Sequence, residues 1–439
     1  MGIVEEGRLV LRTGDRGYDQ ARTVWNAMVN RRPQMIIRCA GVHDVVAAVR
    51  TARELDLEIG VRCGGHSVTG QAVPEGGLMI DLTLMGEVRV DPARRRAWVG
   101  GGALLGALDR AAQRHGLATT AGNVSHTGVG GLTLGGGMGW LARQYGLACD
   151  NVISFEMVTA AGQVVRASRE ENPDLFWGLR GGGGNFGVVT RFEFQLHPIG
   201  TQALTARYTF PIERALPVMR GWRDLSAEAP RQATFTAWAG GEKATFGFVW
   251  VGDPEEGRRL LPDLGALGRP VTEHVAETTY LDLQTRDDVA DGHSLRRFWK
   301  GHYLRHLPDE AIEAFLDGSR DVPGARLQAY GGAIADVPDE DSAFGHRDTA
   351  FEYVTSVGWS DPAEDESRMT AARRAAAAVE PFASGVYVNT ISDEGAHGVR
   401  RAYPPAKLAR LTALKDVYDP HNVFHLNHNI RPSAEPARA

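Results

Sequence analysis

The stretch that decides the fold is Arg-Cys-Gly-Gly-His-Ser at residues 62–67. It follows a strand-like run in which Leu57, Ile59 and Val61 alternate with other residues. Two glycines let the backbone turn so that successive N–H groups point into one hollow, a geometry that suits an anion such as a pyrophosphate. A histidine at the rim of that hollow can reach the ligand. Four interpretations of His66 are therefore open: a base, a metal ligand, a covalent anchor or a packed side chain.

Composition narrows the class of protein. The 439 residues are enough for two domains of ordinary size. A net charge of −6, without a long run of Lys or Arg, argues against nucleic acid or an anionic membrane as the main partner. No apolar stretch approaches the roughly 18–20 residues of a membrane span, and the N-terminal sequence lacks a secretory signal. The three cysteines form no CxxC pair, so neither a disulfide nor a zinc framework is expected. We expect a cytoplasmic protein.

Glycine is abundant and unevenly placed. It accounts for 53 of the 439 residues, above the average of about 7%, and clusters at 64–70, 100–102, 128–139 and 181–187. The segments around these clusters predict a mixture of helices and strands over roughly the first 200 residues. Beyond residue 201 the clusters stop and aromatic, strand-like runs begin; residues 351–359 alternate in the manner of a half-buried strand. This second half predicts an α+β domain in which one face of a sheet lines a pocket.

Other sequence patterns argue against four common kinds of site: a Rossmann dinucleotide site, a P-loop, a serine-hydrolase elbow and a metal site. Residues 182–187 match GxGxxG, but a helical pattern precedes them and a strand pattern follows, the reverse of a Rossmann site. No GxxxxGK[ST] or GxSxG occurs, so a P-loop or a serine-hydrolase elbow is not expected. His421, His425 and His428 have helical spacing, but the flanking Pro420 and asparagines favour an irregular loop. We therefore predict no metal site there.

A set of ordered motifs resembles one family along nearly the whole chain. The motifs are Arg62–Ser67, Gly128–Gly139, Tyr145–Asn151, Asn172–Trp177, Gly181–Gly187, Tyr418–Phe424 and the pair Asn427 and Asn429. Together they are similar to the FAD-linked oxidases of the vanillyl-alcohol oxidase (PCMH-type) superfamily, in the berberine-bridge-enzyme-like branch. Any one motif alone is weak, whereas their order is specific.

The resemblance implies an α+β fold with two domains. A PCMH-type FAD-binding domain would cover residues 1–198 and receive a C-terminal return over residues 398–439. A substrate domain with an antiparallel sheet flanked by helices would cover residues 199–397. FAD would lie between them, where ligand sites often form. The implied activity is oxidation of a C–H bond of a small molecule by hydride transfer, with dioxygen as acceptor; the oligomeric state is not predicted.

The same resemblance assigns the cofactor site. His66 corresponds to the residue bonded to the flavin 8α-methyl group. Many relatives have a second link from a cysteine, but the matching position here is Val124, so a single covalent bond is expected. The expected cofactor-binding residues are Arg62, Cys63, Gly64, Gly65, His66, Ser67, Gly122, Thr127, Gly128, Gly130, Gly131, Leu132, Gly137, Gly139, Asn185, Gly187, Val188, Asn427 and Asn429.

Residues 124–128 are similar to a single-link subgroup that includes the enterocin-biosynthesis flavoprotein. In that subgroup the residue matching Thr127 lies near the flavin N5, and the enzyme uses a flavin N5-oxide. An oxygenating enzyme of secondary metabolism is therefore one alternative. In the other interpretation, the hydroxyl of Thr127 only hydrogen-bonds the loop or the flavin edge.

The catalytic base is the open question. Removal of a hydroxyl or amine proton needs a Tyr, His, Asp or Glu near the flavin. Many relatives have a Tyr-x-Asn-Tyr tetrad; here it is Tyr387-Val-Asn389-Thr390. Tyr387 is thus the first candidate, with Tyr303, His302, Tyr353 and Glu352 as substitutes. Because Thr390 is a poor base, a flavin-binding relative that has lost catalysis is the second alternative.

Overall fold

The loop that carries His66 leaves the edge of a small sheet. The computed structural model describes residues 10–288 and 292–434; residues 1–9 and 435–439, at the outer ends of the two predicted FAD-domain segments, lie outside the described residues. The four strands of this sheet lie in the order Val10–Leu11, Met35–Arg38, Leu78–Asp81 and Ile59–Arg62, and the last three are parallel. Helix Val42–Glu54 packs on the sheet through apolar side chains at helical spacing: Val45, Ala48, Val49 and Ala52.

A second sheet of five antiparallel strands supports the other glycine-rich loops. Its order is Val88–Asp91, Arg96–Gly100, Gly187–Gln195, Val152–Thr159 and Val164–Ser168. Helices Leu105–Gln113, Val129–Leu134 and Pro173–Leu179 accompany it, and Leu117–Ala118 pairs with His197–Pro198. Pro173 stands in the first turn of its helix, where a missing N–H leaves no hydrogen bond unmade.

The third sheet has seven antiparallel strands. Its order is Thr272–Thr279, Gln202–Pro211, Lys243–Val251, Ala233–Gly240, Ala325–Ala329, Phe351–Trp359 and Arg296–Leu304. Helices Ala215–Glu228, Asp309–Gly318 and Asp365–Val379 contribute to its core. Trp222, Phe315 and Val379 of these helices are buried with aromatic residues of the strands. Because side chains alternate along each strand, one face of the sheet packs against these helices and the other face is not covered by them.

The chain returns to its first half at the C-terminus. Helix Gly395–Ala402 is followed by helix Pro405–Tyr418, which packs against Pro173–Leu179. Gly178 permits this close approach, because a Cβ there would overlap the side chain of Leu414. The shorter helices are Tyr18–Arg22, Ala142–Tyr145, Pro254–Arg258, Leu261–Ala266, Tyr280–Thr285 and Ala333–Asp336.

The predicted α+β class with antiparallel sheets is confirmed. The glycine-rich segment 128–139 contains the helix Val129–Leu134, and residues 388–390 form a 3₁₀ turn. No helix within residues 10–288 or 292–434 has both the length and the apolar character needed to cross a membrane.

Candidate active site

A cavity of about 620 Å³ lies between the glycine-rich loops and the free face of the seven-stranded sheet. Its volume is in the range of ligand-binding cavities. One wall consists of loop residues around 63–68, 122–134, 183–189 and 424–428. The opposite wall includes Trp299, Arg326, Gln328, Glu352 and Ser356 from adjacent strands. The two halves of the chain therefore share one site.

The loops around Gly64 and Gly128 touch backbone to backbone. A Cβ on Gly64 would overlap the backbone nitrogen of Gly128, and a Cβ on Gly128 would overlap Gly64 in return. Gly65 has a φ of +66°, a left-handed conformation that favours glycine. Glycine at these positions brings the His66 and Thr127 segments together without a side chain between them.

His66 is enclosed by aromatic and polar partners. Its ring stacks on Trp25 with centroids 4.7 Å apart. Its Nε2 lies 2.6 Å from Nδ1 of His126, and its Nδ1 lies 3.3 Å from the hydroxyl oxygen of Thr127. Burial, and then the neighbouring His126, lower the pKa of His66 to about 3. The imidazole is therefore neutral at physiological pH, with a lone pair available for bonding.

The segment 424–430 is held against the glycine-rich loop at 181–187. Asn185 Nδ2 donates to the carbonyl of Gly182 at 2.9 Å, and its Oδ1 accepts from the backbone N–H of Ile430 at 2.9 Å. Asn427 Nδ2 donates to the carbonyl of Gly184 at 3.2 Å. The ammonium of Lys415 adds a bond to the carbonyl of Asn185 at 2.8 Å. These contacts give the cavity a wall of fixed backbone.

Glu352 is a buried carboxyl group in the opposite wall. Its strand neighbour is Gln328, and Tyr330 Oη donates to Glu352 Oε2 at 2.9 Å. Burial raises the pKa of Glu352 above its usual value, although Arg326 and the Tyr330 hydroxyl oppose the shift. Since burial dominates, this carboxylate is a stronger proton acceptor than an exposed one.

Tyr387 joins the two walls. Its hydroxyl oxygen accepts the backbone N–H of Gly137 at 2.8 Å and Nδ2 of Asn389 at 2.8 Å. Asn389 Nδ2 also lies 3.3 Å from the carbonyl of Leu132. Burial raises the pKa of the Tyr387 hydroxyl, and the two donors only partly offset that shift. Tyr387 is therefore protonated at neutral pH and can donate its own hydrogen.

Most of the predicted site residues line the cavity. These are Cys63, Gly64, Gly65, His66, Ser67, Gly122, Thr127, Gly128, Gly130, Gly131, Leu132, Asn185, Gly187, Val188, Tyr387 and Asn427. Val124, at the position of the expected missing cysteine, lines it too.

Arg62, Gly137, Gly139, Tyr303 and Asn429 are not in the lining. The Arg62 side chain turns away to the carbonyl of Ala21, and Gly137 acts through its N–H to Tyr387. Gly139 packs against the backbone of Ala121. Tyr303 is buried behind the wall, with its ring centroid 6.3 Å from that of Tyr387.

Four further residues line the cavity although no sequence motif predicts them there: Trp25, Arg297, Arg326 and Gln328. Arg297 lies over the Trp25 ring, 3.9 Å from its centroid, although the two are far apart in sequence. One available signal was the strand 351–359. Its aromatic face at Phe351 and Tyr353 is core, so the polar positions Glu352 and Ser356 face the cavity.

Comparison with known proteins agrees with this geometry. A family model described as "FAD binding domain" matches residues 33–168, and one described as "Berberine and berberine like" matches residues 386–431. The (R)-6-hydroxynicotine oxidase of Paenarthrobacter nicotinovorans is 33% identical over 453 residues, 96% of each chain. An FAD-linked oxidoreductase of Dictyostelium discoideum is 30% identical over 433 residues, covering 97% of this chain and 94% of that protein.

The chain belongs to the berberine-bridge-like FAD-linked oxidoreductases. It is an enzyme of this family, as predicted. The crystal structure of 6-hydroxy-D-nicotine oxidase from Arthrobacter nicotinovorans superposes with a TM-score of 0.87 at 30% identity, covering 97% of this chain and 98% of that one. The BBE-like 1 protein of Physcomitrella patens shares the fold, with a TM-score of 0.88 at 23% identity and 98% of each chain covered.

The residues present fit FAD. Backbone from four glycine-rich segments lines the cavity, so N–H groups can approach a pyrophosphate closely. The Oδ1 of Asn427 is buried and, among the residues that the structure describes, has no hydrogen-bond partner. An unmet acceptor in the wall is suited to a polar group of a bound cofactor.

No group of three His, Cys, Asp or Glu side chains placed to hold a metal ion occurs within residues 10–288 and 292–434.

Proposed function

We propose that this oxidoreductase removes a hydride from a carbon that bears a hydroxyl or amine group in a small-molecule substrate. His66 would hold FAD through the flavin 8α position, and the bound flavin would supply the two-electron acceptor for the hydride, with dioxygen as the final acceptor. One observation carries the proposal: the histidine loop and the buried Glu352 carboxylate lie in opposite walls of one cavity.

Glu352 is the proposed base. Bound FAD supplies a two-electron acceptor, while the protein must take the proton from the substrate hydroxyl or ammonium group. The raised pKa of Glu352 suits that task, and the hydrogen bond from Tyr330 holds the carboxylate in place. Tyr303 does not reach the cavity, and the raised pKa of Tyr387 keeps its hydroxyl protonated at neutral pH, so it cannot take up the substrate proton.

Tyr387 is the proposed substrate-orienting group. Its oxygen accepts two N–H donors, so its own hydrogen is directed to another acceptor. A substrate oxygen or nitrogen in the cavity can be that acceptor. Nδ2 of Asn389 donates to Tyr387 Oη and to the carbonyls of residues 131 and 132 in helix Val129–Leu134, so it ties Tyr387 to the FAD side of the cavity.

The polar wall supports a substrate with several hydrogen-bonding groups. Arg326 and Gln328 line the cavity from the strand next to that of Glu352, and Ser356 lines it from further along the strand of Glu352 itself. The relative named (R)-6-hydroxynicotine oxidase supports an amine or alcohol class. The side chain of Trp299 adds apolar surface to the same wall.

The central test is the state of the flavin in the purified chain. We expect a yellow protein whose flavin remains with the polypeptide after acid precipitation. Alcohols and amines are then screened for oxygen consumption with matched formation of hydrogen peroxide. A colourless preparation that fails to bind added FAD overturns the cofactor assignment; a yellow one in which no substrate of either class reduces the flavin overturns the proposed reaction.

A further inference from the structure

His126 connects His66 to a fixed carboxylate. Its Nδ1 lies 2.6 Å from Nε2 of His66, and its Nε2 lies 3.9 Å from Oδ1 of Asp288. Asp288 is held in turn by Ser125, whose backbone N–H and hydroxyl donate to its two oxygens at 2.9 and 2.6 Å. Substrate oxidation, as proposed above, does not use this chain of contacts.

The chain of contacts selects one tautomer at each ring. The negative charge of Asp288 favours the proton of His126 on Nε2, the nitrogen that faces it. A neutral imidazole carries one proton, so Nδ1 of His126 is then an acceptor. His66 must donate to it from Nε2, which leaves the lone pair of His66 on Nδ1.

The nitrogen with the lone pair is free to react. Among the residues that the structure describes, the hydroxyl of Thr127 is the hydrogen-bond partner of His66 Nδ1, at 3.3 Å. That hydroxyl can donate its hydrogen to the lone pair and orient the ring, and this long hydrogen bond breaks when the lone pair forms the C–N bond. The low pKa of His66, caused mainly by burial, keeps the lone pair unprotonated at neutral pH.

We infer that His126, held by Asp288, is a positioning residue for covalent attachment of the flavin: it takes the Nε2 proton of His66 while Nδ1 forms the bond to the 8α carbon. This inference rests on the proposed tether at His66. Asp288 favours the positive charge that develops on His126, although burial, His293 and Arg297 together lower the pKa of His126. Since the side chain is 28% exposed, it can pass the proton to solvent.

Covalent attachment oxidises the 8α-methyl carbon by two electrons. One C–H bond of the 8α-methyl group breaks and its proton leaves to solvent, while a C–N bond forms to His66 and the Nε2 proton moves to His126. Together, the methyl group and the imidazole of His66 thereby release two protons and two electrons. The ring system retains the electrons, and dioxygen accepts them with two protons to give hydrogen peroxide.

The test is the rate of covalent attachment in the full-length chain. The chain is produced under flavin limitation and mixed with FAD in air. Bound FAD is followed by absorbance, and the covalent fraction by intact mass after acid precipitation. In His126→Ala we expect FAD to bind while covalent attachment slows about a hundredfold or more, the usual contribution of a proton acceptor. Added imidazole should restore part of the rate, which a purely structural role does not predict.

Two further variants complete the test. His115→Ala changes an exposed histidine and should leave the rate unchanged. Asp288→Asn should slow attachment without response to imidazole, and it decides the question if His126→Ala binds no FAD. Attachment at the wild-type rate in His126→Ala or Asp288→Asn, or slow attachment in His126→Ala that imidazole leaves unchanged, overturns the inference. A wild-type chain that holds FAD without a covalent bond overturns the proposed tether itself.

Discussion

The Lys415 ammonium lies 2.7 Å from the Asp419 carboxylate, and both side chains are fully buried. Lys415 also donates to the carbonyls of Asn185 and Phe424, while Asp419 accepts the backbone N–H groups of Val423 and Phe424. One ion pair thus holds together the glycine-rich loop and the C-terminal segment that form one end of the cavity.

Lys415→Met should destabilise the protein strongly. Removing one partner leaves an uncompensated buried charge, which costs about 3–5 kcal/mol. We expect that loss in denaturant unfolding of the flavin-loaded chain, together with weaker retention of FAD. Arg374→Gln is the control, since its exposed pair with Asp321 should contribute no more than about 1 kcal/mol. Equal losses in the two variants would contradict the role assigned to the buried pair.

Replacing His66 with Ala should convert the tethered flavin into an extractable one. Acid precipitation then leaves FAD in the supernatant, whereas wild-type FAD stays with the chain. Peptide mapping of the wild type should find flavin on the peptide with His66 and not on the peptide with Val124. Flavin that stays bonded in His66→Ala, or that is found on a second peptide, contradicts a single link.

Glu352→Gln should lower kcat by about 10²–10⁴, because the variant cannot accept the substrate proton. FAD content should not change. In the wild type the active form is the carboxylate, so the rate should increase as the pH rises through the raised pKa of Glu352, and this limb should vanish in the variant. A variant with the wild-type rate and pH profile would falsify the assignment of the base.

The buried Asp109 should make the free energy of unfolding depend on pH below and near neutrality. Burial raises its pKa from 3.8 to about 7, while Gln284 donates to it at 3.1 Å. Between these two values the folded state retains a proton that the unfolded state releases, so the free energy of unfolding falls as the pH rises. We expect the Tm to decrease as the pH rises from 3.8 to about 7, and to decrease less in Asp109→Asn. Identical Tm profiles would count against this prediction.

The spectrum of the resting enzyme separates oxidase from N5-oxide chemistry. The hydroxyl of Thr127 lies 3.3 Å from His66 Nδ1 and therefore has a partner within the loop. We expect an ordinary oxidised-flavin spectrum that dithionite reduction and reoxidation in air leave unchanged. A spectrum that changes irreversibly after that cycle favours the oxygenating alternative. Reduced flavin that stays stable in air instead indicates a dehydrogenase or a catalytically impaired relative.

The local sequence determined the parts of the site that depend on neighbouring residues. Glycines at 64 and 65 permit the turn that presents His66, and the alternation over 351–359 produces a strand with two different faces. The ordered motifs also identified the family and FAD, as the comparisons confirm. The single covalent link stays a prediction.

Only the tertiary structure decided which side chains meet. His66 and His126 are 60 residues apart, and Ser125 and Asp288 are 163 apart. Tyr387 reaches Gly137 across 250 residues. No periodicity encodes such contacts, because they depend on how separate sheets and loops pack against one another. Glu352 illustrates the difference: the alternating pattern gave it a face opposite to Phe351, but the glycine-rich loops that cover this face made it part of the cavity wall.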